Sequence, residues 1–124
     1  MPPEAKVFIA EDNLVWRSFF ADALSDGGHQ VVATASSMDE VNKIIPQLGE
    51  LGVQVALVDG NLTPEAFNGS EGRKIVSTLR QIYPDISVVG VSMNPNGVDG
   101  ANLNLTKRSI NENPENLNKV ITNF

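Results

Sequence analysis

Residues Val53–Asn61 read VQVALVDGN, a short and almost wholly apolar, β-branched run that ends on an acid and a glycine. A run of this length and composition suits a strand covered on both faces, as in a parallel sheet. Three others resemble it, Val7–Ala10 (VFIA), Val31–Ala35 (VVATA) and Ile86–Val91 (ISVVGV). A fifth candidate, Ala101–Thr106 (ANLNLT), alternates leucine with asparagine. Helical repeats lie between them. In Leu14–Ser25, Trp16, Phe20 and Leu24 recur at four-residue spacing, as do Val15, Phe19 and Ala23, and Gly27-Gly28 stops the helix. Ser37 with Glu40 reads as a capping box ahead of Val41, Ile44 and Ile45, which Pro46 ends or kinks. Glu71–Tyr83 carries Ile75, Leu79 and Ile82 on one side and closes at Pro84. Asn113-Pro114-Glu115 opens a last helix with the stripe Leu117, Val120, Ile121 and Phe124. Strands alternating with helices predict a doubly wound α/β sheet.

The chain has 124 residues, a mass of 13.3 kDa and no cysteine, so a single domain over residues 1–124 is expected, without disulfides or thiolate metal ligands. Area scaling gives about 6,500 Å² folded against about 19,000 Å² unfolded, enough burial for a true core. No apolar run approaches the ~20 residues of a membrane span, and the opening MPPEAK lacks a signal peptide's features. A soluble, cytoplasmic domain without a membrane partner is the expectation. Nine Lys and Arg against fifteen Asp and Glu leave a net charge of −6. The only adjacent basic pairs, Arg73-Lys74 and Lys107-Arg108, make no basic face, which argues against a nucleic-acid partner.

Functional side chains of an open parallel sheet collect at the carboxyl ends of its strands. Those ends carry Glu11 and Asp12 after the first strand, Asp59 at the third, Ser92 at the fourth and Lys107 after the fifth. Each has a plainer reading alone: Glu11-Asp12-Asn13 as a helix cap, Asp59-Gly60-Asn61 as a turn, Ser92 as a strand-end hydroxyl, Lys107 as a surface lysine. In a sheet of order 2-1-3-4-5 the first and third strands are neighbours, and three carboxylates face one crevice. They cannot all stay ionised and unpaired, so either pKa values rise or a cation sits among them. Oxygen ligands without His or Cys suit Mg²⁺. With a lysine and a hydroxyl opposite, the set fits an incoming phosphoryl group, Asp59 being the nucleophile.

These residues resemble the receiver domain of two-component response regulators, over nearly all of the chain from Lys6 to Phe124. The matching segments are VFIAEDN, ALVDGNLTP, NGSEGRKIVSTLRQIYPDISVVGVS and GANLNLTK, in the family's order. The resemblance implies a flavodoxin-like five-stranded parallel sheet in the order 2-1-3-4-5. It also implies that Asp59 accepts a phosphoryl group from a sensor histidine kinase or phosphotransfer protein, followed by slow self-catalysed hydrolysis and signalling to a downstream protein target. Asp12 and Asp59 would hold Mg²⁺ with the Asn61 carbonyl, Glu11 acting through a metal-bound water, while Ser92 and Lys107 bind the phosphoryl oxygens. Such a domain is not a true enzyme.

Four departures stand out. Thr63 separates Leu62 from Pro64 and lengthens the loop to Gly69. Gly100 follows Ser92 too closely for the usual fourth helix, which should be shortened or absent. Asn104 replaces the aromatic three residues before the lysine, and Arg108 replaces the proline after it. A pseudo-receiver that only docks proteins is therefore an alternative. A haloacid-dehalogenase-type phosphohydrolase is a further one, opposed by Asn61, which cannot protonate a leaving group. Met93, after Ser92, is placed to shield an aspartyl phosphate. Trp16 reads as core, His29 as a turn residue without a ligand role, and Asn116, Asn118 and Lys119 as the exposed face of the last helix. The oligomeric state is left open by the sequence.

Overall fold

The computed structural model describes residues 4–60, 70–93 and 97–124. Five strands, β1 (Lys6–Ala10), β2 (Gln30–Ala35), β3 (Val55–Asp59), β4 (Ser87–Ser92) and β5 (Leu103–Thr106), form one sheet in the order β2-β1-β3-β4-β5. Every pairing is parallel, as the apolar runs predicted. Helices α1 (Leu14–Asp26), α2 (Met38–Ile44), α3 (Leu48–Leu51), α4 (Ser70–Ile82), α5 (Lys107–Glu112) and α6 (Glu115–Thr122) cover both faces.

Strand residues alternate between two apolar layers. Phe8, Ala10, Ala33, Ala56, Val58 and Val88 pack with Val41, Ile45 and Leu48 of the α2–α3 region and Ile75 and Leu79 of α4. Val7, Ile9, Val55, Leu57, Val89 and Val91 face Phe20 and Leu24 of α1, Ile110 of α5 and Leu117 and Ile121 of α6. The accessible surface, 6610 Å², agrees with the area expected from the mass.

Local chemistry sets the element ends. The Trp16 N–H donates to Asn13 Oδ1 at 3.0 Å and starts α1. The Glu40 N–H donates to Ser37 Oγ at 3.2 Å, while the Glu40 carboxylate accepts from the Ser36 N–H and hydroxyl at 2.6 Å each, holding its pKa below the ordinary value. Helix α2 ends at Ile44, just before Pro46, as that proline predicted. A 3₁₀ turn over Ile45–Gln47 leads into α3, and Gly52, at φ 72°, stops it in a conformation that favours glycine.

Three features differ from the sequence reading. A short helix, α5, begins at Lys107 itself, because Thr106 Oγ1 accepts the Ser109 N–H at 3.1 Å and caps it. The third strand starts at Val55 rather than Val53. Asn118 is buried rather than exposed, its Nδ2 donating to the Ala23 carbonyl at 2.9 Å. Between β4 and β5, none of the described residues is helical, in line with the shortened fourth helix. Val98 fills part of that place, buried in the first layer.

Gly27 explains how α6 closes on the end of α1. A Cβ there would collide with the carboxamide of Asn118. Gly27→Ala is expected to lower the stability measured by urea denaturation by about 1–3 kcal/mol. Adding Asn118→Ala to Gly27→Ala should cost less than the sum of the two single effects, because the collision partner is gone.

Candidate functional site

Glu11 and Asp12 follow β1, where the Glu11 N–H still bonds to the Ala35 carbonyl of β2 at 3.0 Å. Asp59 is the last residue of the neighbouring β3. Carboxylate oxygens of Glu11, Asp12 and Asp59 lie within 4.8 Å of one another, Glu11 and Asp59 being buried and Asp12 half-buried. The expected crevice between the first and third strands thus exists.

Lys107 enters from the end of β5, its ammonium 2.7 Å from Glu11 Oε1 and 3.5 Å from Asp59 Oδ2. The lysine, expected to meet a phosphoryl group, rests nearer to Glu11 than to Asp59. The second Glu11 oxygen accepts the Asn13 N–H at 3.2 Å. Asn13 both caps α1 and touches Glu11, so the cap reading of that segment holds and leaves the acidic pair facing Asp59. Ser92 is buried at the end of β4, in register with Thr106, the residue before Lys107. Met93 beside it is exposed. Asn61, Thr63 and the rest of the loop to Gly69 lie outside the described residues.

Sequence reading missed three supports. Arg17 Nη1 donates to the Glu11 carbonyl at 3.0 Å and to that of Asp12 at 3.5 Å, clamping the backbone of the pair. Gly72 lets the first turn of α4 rest on β3's end: its N–H donates to the Gly60 carbonyl at 2.9 Å, and a Cβ would come within 2.8 Å of the Asp59 carbonyl. Trp16, read as core, is only half-buried and lies under the Lys107 ammonium, 5.5 Å from ring centroid to nitrogen.

Asn104 lies on β5, three residues before Lys107. Its side chain bridges back to the loop, Oδ1 accepting the Val98 N–H at 2.7 Å and Nδ2 donating to the Val98 carbonyl at 3.3 Å. Gly90 beneath it has no room for a Cβ. His29, buried, accepts the Ala5 N–H at Nδ1 (3.1 Å), and burial holds its pKa below the ordinary value. It is a structural acceptor for β1.

Structure comparison places this architecture among solved receivers. The isolated REC domain of RcsB from Salmonella enterica serovar Typhimurium, with the phosphomimetic BeF3-, matches at TM-score 0.61 and 19% identity, covering 76% of this chain and 65% of that one. NtrX from Brucella abortus matches at TM-score 0.66 and 19% identity, covering 95% of this chain and 28% of that one. The separate receiver domain of NtrX matches at TM-score 0.64 and 18% identity, with 91% and 98% covered. The chain has the receiver fold. It spans less than two-thirds of the first two of these chains. No family model and no curated protein sequence matches it. No described helix is long and apolar enough to cross a membrane.

The electrostatics are those of a site that wants a cation. Burial and the charge of Asp59 push Glu11 from its ordinary 4.5 up to about 8, against the pull of Lys107. Between those values the folded chain holds a proton that the unfolded chain has lost. Stability should therefore fall as pH rises from about 4.5 to about 8. Urea midpoints across that range should show the decline, and Glu11→Gln, which keeps the shape without the charge, should flatten it.

Proposed function

We propose that the chain is a phosphoacceptor in a histidine-to-aspartate relay, with Asp59 the accepting residue. The observation that carries this reading is the joining of Glu11, Asp12 and Asp59, from two adjacent strands, with a buried ammonium from a third. Three carboxylates this close must take up a proton or a cation, and the donor set is oxygen alone. Both features fit Mg²⁺. Asp12 and Asp59 would hold the ion, with the Asn61 carbonyl a further ligand. Glu11, both of whose oxygens already have partners, would act through a bound water. When bound, the ion supplies charge neutralisation for the incoming phosphoryl group.

An Asp59 carboxylate oxygen attacks phosphorus of a phosphohistidine. The new O–P bond forms as the N–P bond breaks, and the imidazole leaves with the electron pair. Lys107 and Ser92 hold the transferred oxygens. A loose phosphoryl transition state asks chiefly for such positioning and charge. The donor is a sensor histidine kinase or phosphotransfer protein, and the recipient of the signal is a protein target. The match to an RcsB receiver solved with a phosphomimetic supports this reading at the level of fold.

Incubation with Mg²⁺ and acetyl phosphate, followed by intact-mass measurement, tests it. The expected result is one added phosphoryl group, lost in Asp59→Asn and on chelation. No adduct on the native chain overturns the reading and favours a docking pseudo-receiver. Steady release of phosphate from many esters would instead indicate a hydrolase.

A further inference from the structure

We infer that Trp16 is a positioning residue whose indole face sets where the Lys107 ammonium rests between Glu11 and Asp59; its catalytic meaning rests on the phosphoacceptor reading above. Lys107 is a flexible four-carbon stem ending in three donors, and two carboxylates compete for it, at 2.7 Å and 3.5 Å. The third approach is taken by the Trp16 ring, 5.5 Å from the nitrogen, within the range in which an ammonium is attracted to an aromatic face. The lysine side chain is 7% exposed, so little water competes for it and the attraction is weakly screened.

The ring is itself held. Its centroid lies 5.7 Å from that of Phe20 and 5.8 Å from that of Phe19, and Phe20 is wholly buried in the second core layer. Its main chain is fixed at the other end, because the Trp16 N–H is the one that Asn13 caps. A continuous path of contacts thus runs from the core through Phe20 and Trp16 to Lys107 and the acids. Fixing a lysine costs rotamer freedom, and a rigid ring settles that cost on folding, before any phosphoryl group arrives. Helical spacing already placed Trp16 on the face of α1 that includes Phe20; its distance to Lys107 was invisible without the fold.

A double-mutant cycle tests the assignment. Trp16→Phe keeps an aromatic face, Trp16→Leu keeps only bulk, and Lys107→Met removes the ammonium while keeping the stem. In urea denaturation, Trp16→Leu and Lys107→Met should be coupled by about three- to tenfold in the folding equilibrium constant, and Trp16→Phe should retain most of that coupling. A merely structural Trp16 would give the same loss whether or not Lys107 is present, and that result overturns the proposal. With acetyl phosphate and saturating Mg²⁺, Trp16→Leu should lower the maximal phosphorylation rate about tenfold with little change in half-saturating donor, and Trp16→Phe should restore it. An unchanged maximal rate on a chain that does accept phosphate overturns the positioning role. If the native chain accepts no phosphate, the phosphoacceptor reading fails, and the stability coupling alone decides whether Trp16 sets Lys107.

Discussion

Like charges drawn together in a dry place are the constraint on which the rest of this molecule turns. Two adjacent parallel strands end in acids, and the parallel register brings the ends of β1 and β3 side by side. Water cannot relieve the repulsion, because Glu11 and Asp59 are buried. One buried ammonium offsets part of it, while burial and then the charge of Asp59 still push Glu11 upward. An arrangement this costly persists only if the surrounding structure over-determines it. Four devices do so: the Arg17 clamp, the Asn13 cap, the seat of α4 on the end of β3 at Gly72 and the Trp16 ring beneath Lys107.

Those devices come from different layers of the fold, which is why the doubly wound architecture matters to the chemistry. The α1 side supplies Arg17, Asn13 and Trp16, and its closure against α6 depends on Gly27 and Asn118. The other face supplies Gly72 through α4. Neither layer alone fixes both acids. The sheet between them is continuous, with Asp59 in register beside Val91 and Ser92 beside Thr106, so movement at one strand end is felt at the next.

The strands, most helices and the converging acids were readable because they obey local rules: apolar runs, four-residue spacing, caps, and the tendency of sites to sit at strand ends. What escaped reading depended on contacts far apart in the chain. Asn118 looked like a solvent-facing residue of an amphipathic helix until the Ala23 carbonyl, 95 positions away, was seen to meet it. Lys107 was expected opposite the acids, to meet a phosphoryl group, and only the path of β5 and α5 brings its ammonium onto Glu11. Helix α5 is six residues long, and its only local sign is a threonine three positions before a serine. Gly72 carried no signal beyond being a glycine in a helix.

The stretch between β4 and β5, where no described residue is helical, shows how a sheet face is covered without a helix among those residues. A layer helix shields the apolar face of the strands beneath it, and here that task is small. Gly90 presents no side chain, and Val98 plugs the layer from a few residues of loop. Asn104 meets the loop's polar backbone at Val98, and Asn102 Oδ1 accepts the Val88 N–H of β4 at 2.8 Å. Arg80 of α4 closes the other side, donating to the carbonyls of Ile86 at 3.2 Å and Gly100 at 3.1 Å. Gly97, at φ 69°, permits the turn that places Val98 over Gly90. A side chain that swings as part of a switch must be able to leave its seat at low cost. Asn104 leaves only at a cost, because withdrawing it would strip the Val98 N–H of its acceptor and leave the Val98 carbonyl with the Ala101 N–H alone. Asn104 is thus a fastener, and it holds the same strand that delivers Lys107 to the acids.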